Sequence, residues 1–536
     1  MMLDVAAPRA SLSPLPVRAP ERADLRLTDG TNLVSSVWRP DTADTLPVLL
    51  MRQPYGRAIA STVTLAHPSW YAARGYIVVV QDVRGTGDSE GDFDALANEA
   101  EDGAETLAWA RSLPGANGKL GTYGFSYQGT TQFLALAAGG KPDAMATSMA
   151  SWNPLYDWAS EGGLFRTATS TRWAGQMARL KAQRRGDAEA LTALAPERDW
   201  RDLFRFLCER PDLSHLIRWA QGMVDGNPSR SLTPPPPVPL LQTAGAHDFL
   251  LRGTLAADAA FRAVSPETTH LIFGPWAHIG WNRSAGAAQL GPGAELSVDR
   301  AQISFFDHYL KSIGDVPAAC LAYDGGTDSW RAADPGKFHG EPSTEHRLSS
   351  GGLAATLLTD GRLGSIPGES EDVLVHDPLR PAPLVGGATG NPQGPVDLAA
   401  HDNRADVACY TTAPLAEDTL VAGSAVADLS VSIDGDVSAL AGTLCLVTSQ
   451  GSALALATTV APVDQGRCRL RFEGLYRTLK SGEALRLSIH AAPSPDYLPY
   501  PVLTLPESGV RGATIILRHE ASRVFLPMND QGNTYA

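Results

Sequence analysis

Three side chains in this sequence have the types and the chain order that acyl transfer by a serine requires. Ser126 stands in Gly124-Phe125-Ser126-Tyr127-Gln128-Gly129, between a short apolar approach and an amphipathic run. A serine at a tight strand-to-helix turn is held with its hydroxyl projecting from the end of a sheet, and glycines on either side let strand and helix pass without Cβ clashes. The helix N-terminus also turns free N–H groups toward the place where an oxyanion would form. The serine then needs an imidazole to take its proton and a carboxylate to orient that imidazole. Asp248 and His278 follow in that order, each just past a short apolar run, at 240–245 and 270–273. Taken alone, the turn at Ser126 has a second reading, a Gly-rich loop with a helix-capping serine. Three residues, each placed where one mechanism wants it, favour the nucleophile.

The elements that must position these groups follow from periodicity. Residues 25–33 alternate around Asp29-Gly30, a hairpin signal. The apolar runs at 47–52, 75–81 and 120–124 are short enough for buried strands, and 98–112 carries helical spacing. Phe133, Leu134, Ala137 and Ala138 mark the expected buried stripe of the helix after Ser126, with Gly139-Gly140 and Pro142 as its stop. Strand, loop and helix in alternation spell an α/β fold with a mostly parallel sheet covered on both faces. Gly85-x-Gly87 follows a strand, but the next glycine is Gly91, one residue too late for a dinucleotide fingerprint, and no helix opens there.

From 150 to 231 the pattern is helical. Trp173, Met177 and Leu180 share one face, and Trp200, Leu203, Phe204 and Leu207 another, with Asp199 as N-cap. Core packing accounts for these stripes, and an insert at this point of the chain would roof the site. Asp157 and Glu161 read as solvated helix-end charges, with recognition of an amine as the alternative. Thr233 and the prolines up to Pro239 form a stiff return to the sheet, and 301–312 reads as a helix closing the domain. Beyond 315 short alternating segments, among them 419–431, 442–447, 468–472, 484–489 and 514–517, predict an antiparallel sandwich.

Composition sets outer limits. The 536 residues include 44 Lys plus Arg against 58 Asp plus Glu, a net charge of −14, which argues against nucleic acid or an anionic membrane as partner. No run approaches the length of a membrane span, and the first twenty residues lack the basic and apolar regions of a secretory signal. Five cysteines at long spacings, without Cys-x-x-Cys, read as free thiols of a cytoplasmic protein and not as metal ligands or disulfides.

Beyond its three reacting residues, the sequence resembles the CocE/NonD acyl hydrolases, a group of esterases, amino-acid ester hydrolases and X-prolyl dipeptidyl-peptidases. The resemblance runs from about Leu25 to near Pro527. It is carried by Asp29-Gly30, Pro54-Tyr55, Gln81-Asp82-Val83-Arg84-Gly85 with Ser89-Glu90-Gly91, the turn with Tyr127, and Gly274-Pro275-Trp276-x-His278. Phe305-Phe306-Asp307-His308-Tyr309-Leu310-Lys311 and Pro414-Leu415-Ala416-Glu417-Asp418 extend it. It implies an α/β-hydrolase core, a helical cap insertion and a C-terminal β-sandwich of jelly-roll type. The expected division is an arm over 1–24, the core over 25–149 and 232–314, the cap over 150–231 and the sandwich over 315–536.

Carried over by motif, Ser126 is the nucleophile, His278 the general base and acid, and Asp248 the orienting carboxylate. The main-chain N–H of Tyr127 and the hydroxyl of Tyr55 are the implied oxyanion donors, with no cofactor or metal. His67, His215, His270 and His308 are the weaker candidates for the base. Members commonly carry Gly-Trp-Tyr-Asp where this chain has Gly245-Ala246-His247-Asp248, so the pocket wall should differ there. His247 reads as a structural hydrogen-bonder, the alternative being a group that faces substrate. The expected reaction is hydrolysis of a small-molecule ester or amide through an acyl-enzyme. Acyl or aminoacyl transfer and X-Pro peptide cleavage on the same triad, or a non-catalytic binding role for the scaffold, are the alternatives. Homo-oligomerisation stays open.

Overall fold

The computed structural model describes residues 14–58, 64–286, 288–506 and 511–528. One ten-stranded sheet carries the site. Its strands are Glu21–Arg26 (β1), Asn32–Trp38 (β2), Leu46–Gln53 (β3), Ile77–Asp82 (β4) and Ala116–Phe125 (β5). Ala144–Ser148 (β6), Leu240–His247 (β7), Thr269–Ala277 (β8), Cys320–Asp324 (β9) and Ser329–Ala332 (β10) complete it. The order is β1-β2-β4-β3-β5-β6-β7-β8-β9-β10. Neighbours from β4 to β9 run parallel, whereas β1–β2, β2–β4 and β9–β10 are antiparallel.

β3 shows why the strands read as unbroken apolar runs. Its Leu49 and Met51 pack with Phe305, Phe306 and Leu310 of the helix Val298–Lys311, on one face of the sheet. Val48 and Leu50 pack with Leu107 and Ala110 of the helix Glu99–Arg111 on the other. Successive side chains point to opposite faces, so a strand covered on both must be apolar throughout. Gly121 on β5 lies under this packing: a Cβ there would come within 2.7 Å of the Phe306 ring.

Between β6 and β7 the chain leaves the sheet for the helices Thr167–Arg185, Ala188–Ala193, Trp200–Glu209, Leu216–Ala220 and Pro228–Ser231. Trp158, Met177, Phe204, Leu207 and Trp219 form their core, which also takes in Tyr127 and Phe93 and is therefore continuous with the ground beneath the site. Asp199 caps its helix as expected, accepting from Arg201 N. Two short strands in this insert, Ser160–Glu161 and Leu164–Arg166, are joined by Tyr497–Pro499 from the C-terminal region.

That region is built from two β-layers. One follows the order Ala453–Pro462, Ala439–Val447, Ala484–Ala491, Ala408–Thr412, Arg362–Gly364. The other contains Glu371–His376, Ala513–Leu526, Thr419–Asp434 and Arg467–Leu479, and Thr344–Ser349 links the two. Inward residues of both layers, such as Leu444, Leu487, Leu429 and Leu470, share one core.

Three expectations need correction. The expected loose arm lies partly outside the described residues, at 1–13, but from residue 14 it is tied down. Leu15 N donates to Ala73 O at 2.8 Å, Arg18 N to Arg39 O at 2.9 Å, and β1 opens at Glu21. The helix Val298–Lys311 does not close the domain but crosses from β8 to β9, so residues 320–332 extend the first sheet instead of opening the sandwich. Two strands of five and four residues leave little apolar signal to read. The helix Tyr127–Ala137 is buried from Tyr127 to Leu136 on every side, while Ala137 is only half-buried and Ala138 exposed. It lies between the sheet and the helical insert, so no single stripe describes it.

Candidate active site

β5 ends at Phe125 and the helix starts at Tyr127, leaving Ser126 alone at the turn with φ 60 and ψ −122, a conformation that costs an L-residue on the order of 1–3 kcal/mol. Packing on both sides enforces it. A Cβ on Gly124 would meet Gln128 Cβ at 2.5 Å, and one on Gly129 would meet Ala150 Cβ at 2.7 Å. Ser126 N donates to Ser148 O on β6 at 2.8 Å, and Ser126 O accepts from Gly129 N at 2.9 Å and Thr130 N at 3.1 Å. The turn is thereby pinned while the hydroxyl stays free to point away.

Asp248 and His278 reach that hydroxyl from the ends of two adjacent strands. Asp248 follows β7, is fully buried, and its Oδ1 lies 2.6 Å from His278 Nδ1. His278 follows β8 and places Nε2 3.0 Å from Ser126 Oγ. Because β7 and β8 are parallel neighbours, residues that follow their C-terminal ends fall side by side. The imidazole is wedged between the rings of Phe125 and Phe249, at 4.7 and 4.3 Å between centroids. Its side chain is 17 % exposed. Ser126, Asp248 and His278, remote in sequence, are thus one hydrogen-bonded chain.

The two expected donors sit on separate supports. Tyr127 opens the helix, and its phenol is used elsewhere: it donates to Glu99 Oε1 at 2.8 Å and accepts from Leu96 N at 3.0 Å. Glu99 pairs with Arg52 at 2.9 Å, and both are buried. Burial pushes the Glu99 carboxyl up, against the pull of Arg52. This buried anchor was missed in the sequence, although an arginine inside the apolar run of β3 was a sign of it. Tyr55 follows β3, and its hydroxyl accepts from Trp173 Nε1 of the insert at 3.3 Å. Burial raises the phenol to about 12, so it is neutral at physiological pH. Since the indole can only donate, the phenol proton is left for another acceptor. The loop of Tyr55 is held by Arg57, whose guanidinium lies 2.5 Å from both Asp82 and Asp88.

The other candidates stand apart from this cluster. His67 caps a short helix, and His270 bonds Tyr309 at 2.8 Å. His308 contacts Gly314 O, and His215 is buried against Trp173 and Trp219, its imidazole held down to about 3 by desolvation. Asp157 and Glu161 are not solvated. Asp157 accepts from Ser151 Oγ, Trp152 N at 3.0 Å and Asn153 N at 2.7 Å, and Glu161 pairs with Arg166 at 3.3 Å. Main-chain partners of this kind leave no trace in composition. His247 is buried but makes no structural hydrogen bond through Nδ1, which has no partner among the described residues. It faces the C-terminal region.

The fold and the convergence at Ser126 define a serine hydrolase of the α/β-hydrolase class. Residues 29–280 match the family described as X-Pro dipeptidyl-peptidase (S15 family), and residues 315–499 match the X-Pro dipeptidyl-peptidase C-terminal non-catalytic domain. Cocaine esterase from Rhodococcus sp. (strain MB1 Bresler) is 29% identical over 465 residues, covering 80% of each chain. Among solved structures, an α-amino acid ester hydrolase superposes with a TM-score of 0.71 at 20% identity, over 99% of this chain and all of that one. A CocE/NonD family hydrolase from Staphylococcus aureus follows with a TM-score of 0.65 at 16% identity, over 95% of this chain and 93% of that one. The chain is thus similar to S15-family X-Pro dipeptidyl-peptidases in two successive regions and to an esterase over most of its length, and it shares its fold with a CocE/NonD family hydrolase.

Proposed function

We propose that the chain hydrolyses carboxylic esters of small molecules through an acyl-enzyme on Ser126. The observation that carries this reading is the unbroken hydrogen-bond chain from Asp248 through His278 to a serine on a strained turn. His278 Nε2 takes the hydroxyl proton as Ser126 Oγ attacks the carbonyl carbon, while Asp248 holds the Nδ1–H tautomer and the charge that develops on the ring. The oxyanion is met by the main-chain N–H of Tyr127 and the hydroxyl of Tyr55. His278 then protonates the leaving alkoxide, and the same steps with water as nucleophile release the acid and restore Ser126.

Ester cleavage is preferred over X-Pro peptide cleavage because the two acids weighed for amine recognition are spent. Asp157 is committed to main-chain N–H groups and Glu161 to Arg166, leaving neither to bind a free amine. The esterase among the relatives supports the same choice. The reading divides the chain into a hydrolase core, a roofing insert over 150–231, and a C-terminal sandwich of jelly-roll type that lends no reacting group. Five free thiols, four of them buried, fit a cytoplasmic setting.

A fluorophosphonate probe tests the assignment. It should label the intact protein and not the Ser126→Ala variant, and p-nitrophenyl esters should turn over faster than X-Pro anilides. Labelling that survives in Ser126→Ala would place the nucleophile elsewhere, and faster cleavage of the anilides would reverse the substrate assignment.

A further inference from the structure

A cavity of about 470 Å³ lies between the first sheet and the C-terminal region. That is within the usual range for small-molecule sites, about 300–1,000 Å³. Its floor is the end of β7 and β8, with His247 and Phe273, and its roof is the C-terminal strands, with Leu454, Leu456 and Arg477. Most of the wall is apolar. Tyr323 and Asp397 in it are engaged, but two other polar groups are unused. Arg477 Nε and His247 Nδ1 are both buried and have no hydrogen-bond partner among the described residues. His247 is 7% exposed. No carboxylate of the described residues forms an ion pair with Arg477. The guanidinium also lies against Gly325, where a Cβ would stand 2.7 Å from Nη1.

A buried guanidinium N–H left without an acceptor is costly, and a neutral imidazole beside it can donate one more hydrogen bond. Burial, and secondarily the charge of Arg477, hold His247 down to about 4, so the ring adds no second charge. Asp397, the acid among the described lining residues, is engaged by Ala399 N at 2.9 Å and opposes a dianion. We propose that this cavity binds a small monocarboxylic acid with an apolar body, its carboxylate paired with Arg477 and hydrogen-bonded by His247. The carboxylate matches the planar fork of an arginine, and the leucine and phenylalanine walls take the hydrocarbon. The inference stands on the cavity alone and does not depend on the reaction at Ser126.

Calorimetry on the full chain with 4-phenylbutyrate tests it. The acid should bind with Kd below about 1 mM, and its uncharged amide at least about tenfold more weakly. Arg477→Met should weaken the acid by about tenfold or more, and Leu456→Trp, which fills the cavity, should remove binding. Three results would overturn the proposal. One is no binding up to about 10 mM. Another is undiminished binding in both variants, which would place the acid elsewhere, and the third is inorganic phosphate binding as tightly as the acid. If either variant fails to fold, the comparison of acid with amide on the unaltered chain decides between binding through the carboxylate and binding without it.

Discussion

Among the described residues two hydrogen-bonded chains run from Asp through His to Ser, and only one has the surroundings for the proposed chemistry. In the first sheet Asp248, His278 and Ser126 are linked at 2.6 and 3.0 Å. In the C-terminal layers Asp372 Oδ2 lies 2.7 Å from His519 Nε2, and His519 Nδ1 lies 3.3 Å from Ser370 Oγ. The distances are nearly the same, but the surroundings are not. His519 and Asp372 have no exposed side-chain surface. Tyr410 donates to Asp372 at 2.6 Å, and Ser370 donates its own proton to Ser350 O at 2.6 Å. Ser126 has no such main-chain acceptor among the described residues, sits on a strained turn at a helix N-terminus, and its histidine is partly open. Reactivity therefore depends on where the proton of the serine is free to go and on what waits for the oxyanion, more than on the three residue types.

The sharpest way to break this comparison is to remove each serine. Ser126→Ala should lower kcat by about 10⁶-fold, whereas Ser370→Ala should leave it unchanged in the same ester assay. Replacing the acids comes next. Asp248→Asn should cost about 10⁴-fold in kcat through the wrong imidazole tautomer. Asp372→Asn should instead spare kcat and lower the free energy of unfolding by about 2 kcal/mol in denaturant titration. The phenols rank below them: Tyr55→Phe should cost about 10²–10³-fold in kcat, and Tyr410→Phe nothing. Tyr127→Phe keeps the main-chain donor and loses only the anchor to Glu99. It should retain most of kcat while destabilising the fold by about 1–3 kcal/mol, read by thermal unfolding.

The smallest effect concerns protons. His215 and His490 are held to about 3 and His247 to about 4 by burial, all below the ordinary 6.5. The unfolded chain therefore takes up protons first as the pH drops below 6.5, and stability falls with it. Each buried histidine should remove about 0.7 kcal/mol between pH 7 and pH 6, with loss continuing toward the folded value. His215→Phe should flatten that slope in unfolding curves taken at the two pH values, and an unchanged slope would contradict a neutral buried ring.

What the sequence made legible was set by local physics. β3 and β4 showed themselves because strands buried on both faces must be apolar throughout, and the turn at Ser126 because its glycines answer close contacts within a few residues. Asp248 and His278 could be placed because each follows such a strand. The unreadable parts depend on distant partners. Asp157 and Glu161 have the same letters whether solvated or buried, and only the loop at 151–153 and Arg166 decide which. The indole of Trp173 meets Tyr55 across 118 positions, so a residue of the helical stripe is also a neighbour of the proposed oxyanion donor. Ala453–Pro462 escaped notice because alanine and threonine fill its inward positions, and β9 because its strand is short.

One small sheet carries a consequence for anyone wishing to shorten the protein. Tyr497–Pro499 pairs with Leu164–Arg166, Asp496 O accepts from Thr167 N at 2.9 Å, and Tyr497 reaches Glu161 at 3.4 Å. The helical insert is thus partly fastened by chain made some three hundred residues later. A truncated chain ending after the first sheet would keep Ser126, Asp248 and His278 and lose the clasp on the insert, so a minimal esterase cannot be cut from this protein at its apparent seam.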